Sequence, residues 1–230
     1  MVTVIDAGPV GEFRIAPSIL SANFGDLGRD VARVDAETDW LHVDVMDGHF
    51  VPNVSLGPPV VASLRPYSPR FFDCHLMMSE PGRYLEAFRR AGADGCTVHV
   101  EVGATASLIE QAHSLGLRIG LAANPDTPFH AVAPFLGDID LLLLMTVFPG
   151  FGGQSFMGEV MEKVEEARRE VDRNALSLDI EVDGGIDVTT APIAVRAGAN
   201  VLVAGSAIFA HEDPLRAAAT LRAAAFAEVQ

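Results

Sequence analysis

Apolar positions recur along the chain in two alternating periods. Short runs with the two-residue period of a β-strand, or wholly apolar, fall at 13–19, 40–45, 70–76, 95–100, 118–121, 141–146, 177–182 and 201–204. Between them lie stretches with helical spacing at 27–36, 59–64, 80–91, 106–115, 129–135, 159–172 and 189–197, and a last one at 214–225. Strict alternation of strand and helix predicts an α/β chain with a parallel sheet. Eight such units in 230 residues suit a single-domain (β/α)8 TIM barrel better than an open doubly wound sheet, which would also need a GxGxxG after its first strand. Punctuation agrees: Glu80-Pro81 opens a helix with proline in its first turn, and Gly92, Gly116 and Gly198 follow helix ends. The pattern gives an N-terminal extension over 1–12 and a barrel over 13–230, with no linker-like tract between domains.

One run breaks the usual rule for buried strands. In Trp40-Leu41-His42-Val43-Asp44-Val45-Met46, the apolar Leu41, Val43 and Val45 share one face, and His42, Asp44 and Met46 share the other. A strand buried on both sides with charge on one of them needs paired or metal-bound groups there. Polar residues recur at other strand ends, where a (β/α)8 barrel carries its chemistry. Asp73 and His75 alternate onto one face, as do Asp179, Glu181 and Asp183, with Asp183 outermost. Histidines and carboxylates gathered at one rim predict a mixed nitrogen and oxygen site for one divalent metal ion. Zinc suits it best, with iron, manganese or cobalt as alternatives. Structural hydrogen bonding inside the barrel is the competing reading of each residue alone.

Glycine-rich loops follow the last three strands. They are Phe148-Pro149-Gly150-Phe151-Gly152-Gly153-Gln154, Asp183-Gly184-Gly185 and Ala204-Gly205-Ser206. Glycines let backbone N–H groups approach an anion, and barrels often seat phosphate after their seventh and eighth strands. Met46, Met77, Met78 and Met145 also fall at strand ends, as core filling or as a polarisable lid over a bound substrate.

Charge and composition narrow the partners. A net charge of −15 argues against nucleic acid and anionic membranes. No apolar run approaches the roughly 20 residues that cross a bilayer, and no export signal is read at the N-terminus. A cytoplasmic location is expected. Cys74 and Cys96 lie in apolar runs without CxxC spacing and read as packing residues of a reducing compartment. The single lysine, Lys163, reads as a solvated residue on a charged helix, which argues against Schiff-base chemistry. His99, in Thr97-Val98-His99-Val100-Glu101, reads as a core histidine rather than a ligand.

Six blocks in order resemble the ribulose-phosphate 3-epimerase family, from Ala16 to about Phe209. They are Ala16-Pro17-Ser18-Ile19-Leu20-Ser21-Ala22, Leu41-His42-Val43-Asp44-Val45-Met46-Asp47-Gly48, His75-Leu76-Met77, Pro149-Gly150-Phe151-Gly152-Gly153-Gln154, Val182-Asp183-Gly184-Gly185 and Val203-Ala204-Gly205-Ser206-Ala207-Ile208-Phe209. The resemblance implies a metal-dependent barrel enzyme that interconverts ribulose 5-phosphate and xylulose 5-phosphate through a cis-enediolate. It implies His42, Asp44, His75 and Asp183 as metal ligands, with Asp44 and Asp183 also as the catalytic acid and base. It further implies Ser18, His75, Gly150, Phe151, Gly152, Gly153, Asp183, Gly184, Gly185, Gly205 and Ser206 as substrate contacts. Met46, Met77 and Met145 would cap the site, and barrels of this family often form symmetric homo-oligomers. Departures from the family pattern are Phe148, where asparagine is usual beside the phosphate loop, Asn23 for aspartate, and Cys74 and Ala123 for aliphatic residues. Phe148 keeps a related ketose phosphate, such as a hexulose 6-phosphate, open as the substrate. A metal-dependent aldolase and a non-catalytic sugar-phosphate binder are the rivals.

Overall fold

The computed structural model describes residues 13–227, so the expected extension over 1–12 lies outside the described residues. The strands are β1 (Arg14–Pro17), β2 (Trp40–Met46), β3 (Phe71–Met77), β4 (Gly95–His99), β5 (Arg118–Ala123), β6 (Leu141–Met145), β7 (Asp179–Asp183) and β8 (Val201–Ala204). All are parallel, in the order β1-β8-β7-β6-β5-β4-β3-β2, and a parallel bridge between Ser18 and His42 brings β1 back to β2. The result is a nearly closed barrel.

Helices α1 (Leu27–Val34), α2 (Pro58–Leu64), α3 (Leu85–Ala91), α4 (Thr105–Ser114), α5 (Met161–Arg173), α6 (Ala191–Ala197), α7 (Ser206–Phe209) and α8 (Pro214–Phe226) fall between and after the strands. The expected helix over 129–135 is instead two 3-10 turns, Phe129–Ala131 and Ala133–Phe135. Pro134 has no N–H to donate to the carbonyl of His130, the bond an α-helix would need. The expected helix over 80–91 is a 3-10 turn, Pro81–Arg83, followed by α3. There the Gly82 carbonyl accepts from Gln111 at 2.8 Å instead of from its own helix. Gly92, at φ 101°, stops α3 in the left-handed conformation that a side chain disfavours. Among the described residues, no helix is long and apolar enough to cross a membrane.

The two-residue period sorts each strand into an outer and an inner set. Leu41, Val43, Val45, Phe72, Cys74, Leu76, Ile180 and Val182 pack outward, in the same core as Val31, Val34, Leu85 and Phe88 of the helices. Each large apolar side chain so buried contributes about 1.5–3 kcal/mol. Cys74 and Cys96 sit opposite each other on β3 and β4 as free, buried members of this layer. The inner set stacks in register. Trp40 faces Phe71 at the floor, His42 faces Asp73 above them, then Asp44 faces His75, and Met46 faces Met77 at the rim. On the far side Asp179, Glu181 and Asp183 climb through the same levels opposite Leu141, Leu143 and Met145. Asp179 is thus a floor residue, paired with Arg14 at 2.9 Å and hydrogen-bonded by Asn200 at 2.6 Å. Of the three acids on β7, only Asp183 reaches the rim.

Candidate active site

A cavity of about 1210 Å³ opens over the C-terminal ends of the strands. Its floor is made by Asp44 and Asp183 with Met46, Met77 and Met145. Ser18 stands beside them because β1 ends at Pro17 and Ser18 caps the 3-10 turn Ile19–Ser21. The Ser18 hydroxyl donates to Asp44 Oδ2 at 2.6 Å, which fixes that carboxylate from one side. Met78, the next residue after the rim methionine Met77, turns away into the helix-facing core.

Four ligand atoms converge at this floor, one each from His42, Asp44, His75 and Asp183, all within 4.8 Å of one another. Asp44 Oδ1 lies 3.5 Å from His42 Nε2 and 3.4 Å from His75 Nδ1, and Asp183 Oδ2 lies 3.9 Å from each of those nitrogens. These separations are long for hydrogen bonds. Donor atoms about 2.1 Å from a zinc ion in a tetrahedral set lie about 3.4 Å apart, close to the spacing of Asp44 Oδ1 from the two nitrogens, while Asp183 Oδ2 stands further out at 3.9 Å. Both ring nitrogens are buried and have no hydrogen-bond partner. Two orphaned imidazole nitrogens and two carboxylate oxygens, all within 4.8 Å of one another, fit a divalent metal ion.

The second ring nitrogen of His42 faces inward. Nδ1 lies 2.8 Å from Asp73 Oδ2 and 3.5 Å from Glu181 Oε1, with all three side chains buried. Burial alone would lower the His42 pKa, but Asp44, Asp73 and Glu181 around the ring hold it well above the usual value. For His75 burial prevails and pushes the ring down to about 4, so it is neutral near pH 7. Burial and then the charge of Asp44 push Asp183 up to about 7. Asp44 goes the other way, because the attraction of His42 and His75 outweighs its burial. Without a cation, Asp44 is therefore charged while Asp183 titrates close to neutrality.

The three glycine loops meet on one side of the cavity, where Gly150, Phe151, Gly152, Gly153, Gly184, Gly185, Gly205 and Ser206 all line its wall. Gly205 packs close to Ser21, whose Oγ would stand 2.5 Å from a Cβ added there. Phe148 is half exposed and absent from the cavity wall, so the departure in sequence does not intrude on the space a substrate would fill. His75 is fully buried behind Asp44 rather than in the wall, which favours a ligand role over a substrate contact.

Two expectations need correction or extension. Lys163 is not a solvated residue: half-buried, it donates to the carbonyls of Asn124 at 2.7 Å and Pro125 at 3.0 Å, and so ties α5 to the loop after β5. His99 is a core histidine outside the candidate metal cluster, as expected, but it is hydrogen-bonded to one of its members, with its Nε2 2.8 Å from His75 Nε2. Glu101 joins that pair because the 3-10 turn Val100–Val102 carries it back against His99. The only trace in sequence is the spacing of His99 and Glu101, too common a pattern to single out.

The family model described as the "Ribulose-phosphate 3 epimerase family" matches residues 14–209. A ribulose-phosphate 3-epimerase of Bacillus subtilis is 45% identical over 215 residues, covering 91% of this chain and 98% of that protein. The cytoplasmic isoform of ribulose-phosphate 3-epimerase from Oryza sativa is 46% identical over 215 residues, covering 91% and 92%. Among solved structures, KGPDC from Streptococcus mutans superposes with a TM-score of 0.71. It is 16% identical, with 95% of this chain and 100% of that one covered, and shows the shared barrel fold.

Proposed function

The chain belongs to the ribulose-phosphate 3-epimerase family, and on that footing we propose that its site inverts C3 of D-ribulose 5-phosphate to give D-xylulose 5-phosphate. The observation that carries this reading is the meeting of Asp44 and Asp183 with two unpartnered imidazole nitrogens under a glycine-lipped cavity. Epimerisation at C3 of a 2-ketose removes an acidic proton next to the carbonyl and returns one to the opposite face. Asp44 and Asp183 come from β2 and β7, which are not neighbours in the sheet, so two carboxylates can address C3 from different directions. One takes the proton, the other delivers its own, and the reverse reaction exchanges their roles. Ser18 orients Asp44 through its hydroxyl. Met46, Met77 and Met145 present an apolar, polarisable surface that excludes water from the reacting carbons. The N–H groups of the glycine loops hold the phosphate. His42, Asp44, His75 and Asp183 would hold a divalent ion, zinc for preference, which would supply positive charge against the negative charge that develops when the C3 proton is removed.

Incubation with ribulose 5-phosphate in D₂O, followed by NMR, tests the reaction. The expected product is xylulose 5-phosphate carrying deuterium at C3. Metal-loaded protein that yields neither product nor exchange rules out the pentulose reading and makes a hexulose 6-phosphate the next substrate to try. Release of a shorter sugar would instead identify an aldolase.

The free site also predicts how the ion binds. His42 must give up a proton to become a ligand, and Asp183, pushed up to about 7, binds a cation more strongly as the carboxylate, taking up again from substrate or solvent the proton it delivers in turnover. Apparent zinc affinity is therefore expected to rise with pH through about 7, with protons released on binding. Calorimetry in buffers of different ionisation enthalpy measures the release. An affinity that stays flat between about pH 6 and pH 8 would contradict this account of the free site. Removal of the ion by a chelator is expected to abolish turnover reversibly.

A further inference from the structure

Behind the ligand cluster runs a chain of three side chains that no step of the reaction uses. His75 Nε2 and His99 Nε2 are 2.8 Å apart, and their rings stack with centroids 5.0 Å apart. Both residues are fully buried. Two imidazole nitrogens at that distance share one proton, so one donates and the other accepts. His99 Nδ1 lies 3.0 Å from Glu101 Oε2. The other oxygen of Glu101 accepts the backbone N–H of Asn124 at 2.7 Å and the hydroxyl of Thr127. Burial would raise the Glu101 carboxyl, but the hydrogen bonds from His99, Asn124 and Thr127 hold it down at about 2. As a carboxylate it can only accept. His99 Nδ1 must then carry the proton, His99 Nε2 must accept, and His75 Nε2 must donate.

That order leaves the lone pair of His75 on Nδ1, the atom that faces Asp44 and Asp183. We propose that Glu101 and His99 are positioning residues that lock His75 into the one tautomer able to bind a metal ion through Nδ1. The proposal deepens the reading of the cluster as a metal centre and rests on it. His42 has a carboxylate directly behind it, with Asp73 2.8 Å from its Nδ1. His75 has its carboxylate one ring further back, since its strand neighbour on β4 is the small Thr97 and His99 reaches it from two residues further along β4. A carboxylate behind a ligating imidazole fixes the ring and raises its basicity. The lysine on α5 extends the support, because it holds the carbonyls of the loop that presents Asn124 to Glu101.

Glu101→Gln separates this role from plain packing. The Asn124 N–H needs an acceptor, so the amide oxygen would face Asn124 and the amide NH₂ would face His99 Nδ1. The proton order then reverses, and His75 is left with a proton on Nδ1. NMR of the ring nitrogens in metal-free, ¹⁵N-histidine-labelled protein reads the tautomers without any ion or activity. The expected wild-type result is Nε2–H on His75 and Nδ1–H on His99, and in the variant both are exchanged. Zinc affinity of the variant, by chelator competition, is expected to fall about 10- to 100-fold. Wild-type protein with His75 protonated on Nδ1 would overturn the proposal, even if the variant did not fold. So would a folded variant with unchanged affinity. A wild-type protein that binds no zinc would instead defeat the metal reading, while the tautomers would still be measured.

Discussion

Asp183→Asn is expected to lower kcat by about 10²- to 10⁴-fold, and Asp44→Asn by a similar factor, with the fold intact in both. Asparagine matches aspartate in shape and still offers an oxygen, so at position 44 it can keep the hydrogen bond from Ser18. It cannot take or give the proton. If one carboxylate serves each face of C3, the two variants differ in an informative way. Each keeps one working group, so each should still exchange the C3 proton of one epimer with D₂O while failing to turn it into the other. One variant should label ribulose 5-phosphate and its counterpart xylulose 5-phosphate. Near-normal turnover in either, at full metal content, would end the two-base assignment. Stability should move the other way at position 183. A carboxyl whose folded pKa is raised to about 7 costs the folded state increasingly as pH climbs from the unfolded value toward about 7. Metal-free Asp183→Asn lacks that penalty, so its Tm above neutral pH should equal or exceed that of the wild type.

Gly185→Ala should damage the side of the site proposed to hold the phosphate without touching a carboxylate. Gly185 has φ 65°, and a Cβ there would stand 2.5 Å from the backbone nitrogen of Phe156 and 2.8 Å from its Cα. Those are main-chain atoms with no rotamer to escape into, so the segment after β6 has to move off the end of β7. The left-handed conformation costs about 1 kcal/mol and the overpacking about 1–3 kcal/mol more. Because that segment carries Gly150–Gly153, the shift is expected to raise KM for the phosphorylated substrate by at least about tenfold, equivalent to about 1.4 kcal/mol. The fall in kcat should be smaller. Inhibition by inorganic phosphate should weaken in parallel. A variant with wild-type KM and Tm would show that the loop tolerates the added methyl group, and the packing argument would fail.

How far these sites could be read in advance depended on the range of the interaction. The alternation in Trp40–Met46 already demanded two buried faces, because a strand has a fixed two-residue period and His42 and Asp44 could only share the face opposite Leu41, Val43 and Val45. The barrel itself was legible for the same reason: eight strand runs interleaved with helical ones leave few ways to bury both faces of a parallel sheet. Local chemistry that overrides the pattern was harder to see, and Pro134 replaced an expected helix with two 3-10 turns.

Residue types at strand ends, glycines in the loops and the family resemblance were therefore determined by the sequence itself, since each is a property of a few neighbouring residues. Register was not. The sequence already put Asp183 outermost of the three acids, but where the other two go, Asp179 onto Arg14 and Glu181 beside His42 Nδ1, was decided only by the tertiary structure. It alone placed Asp73 behind His42, and His99 with Glu101 behind His75. It also turned Phe148 out of the cavity wall and brought the only lysine onto the loop after β5. Each of these depends on the stagger between strands and the path of a loop. Such features are set by closing the whole barrel and packing its helices, not by any segment of the chain alone.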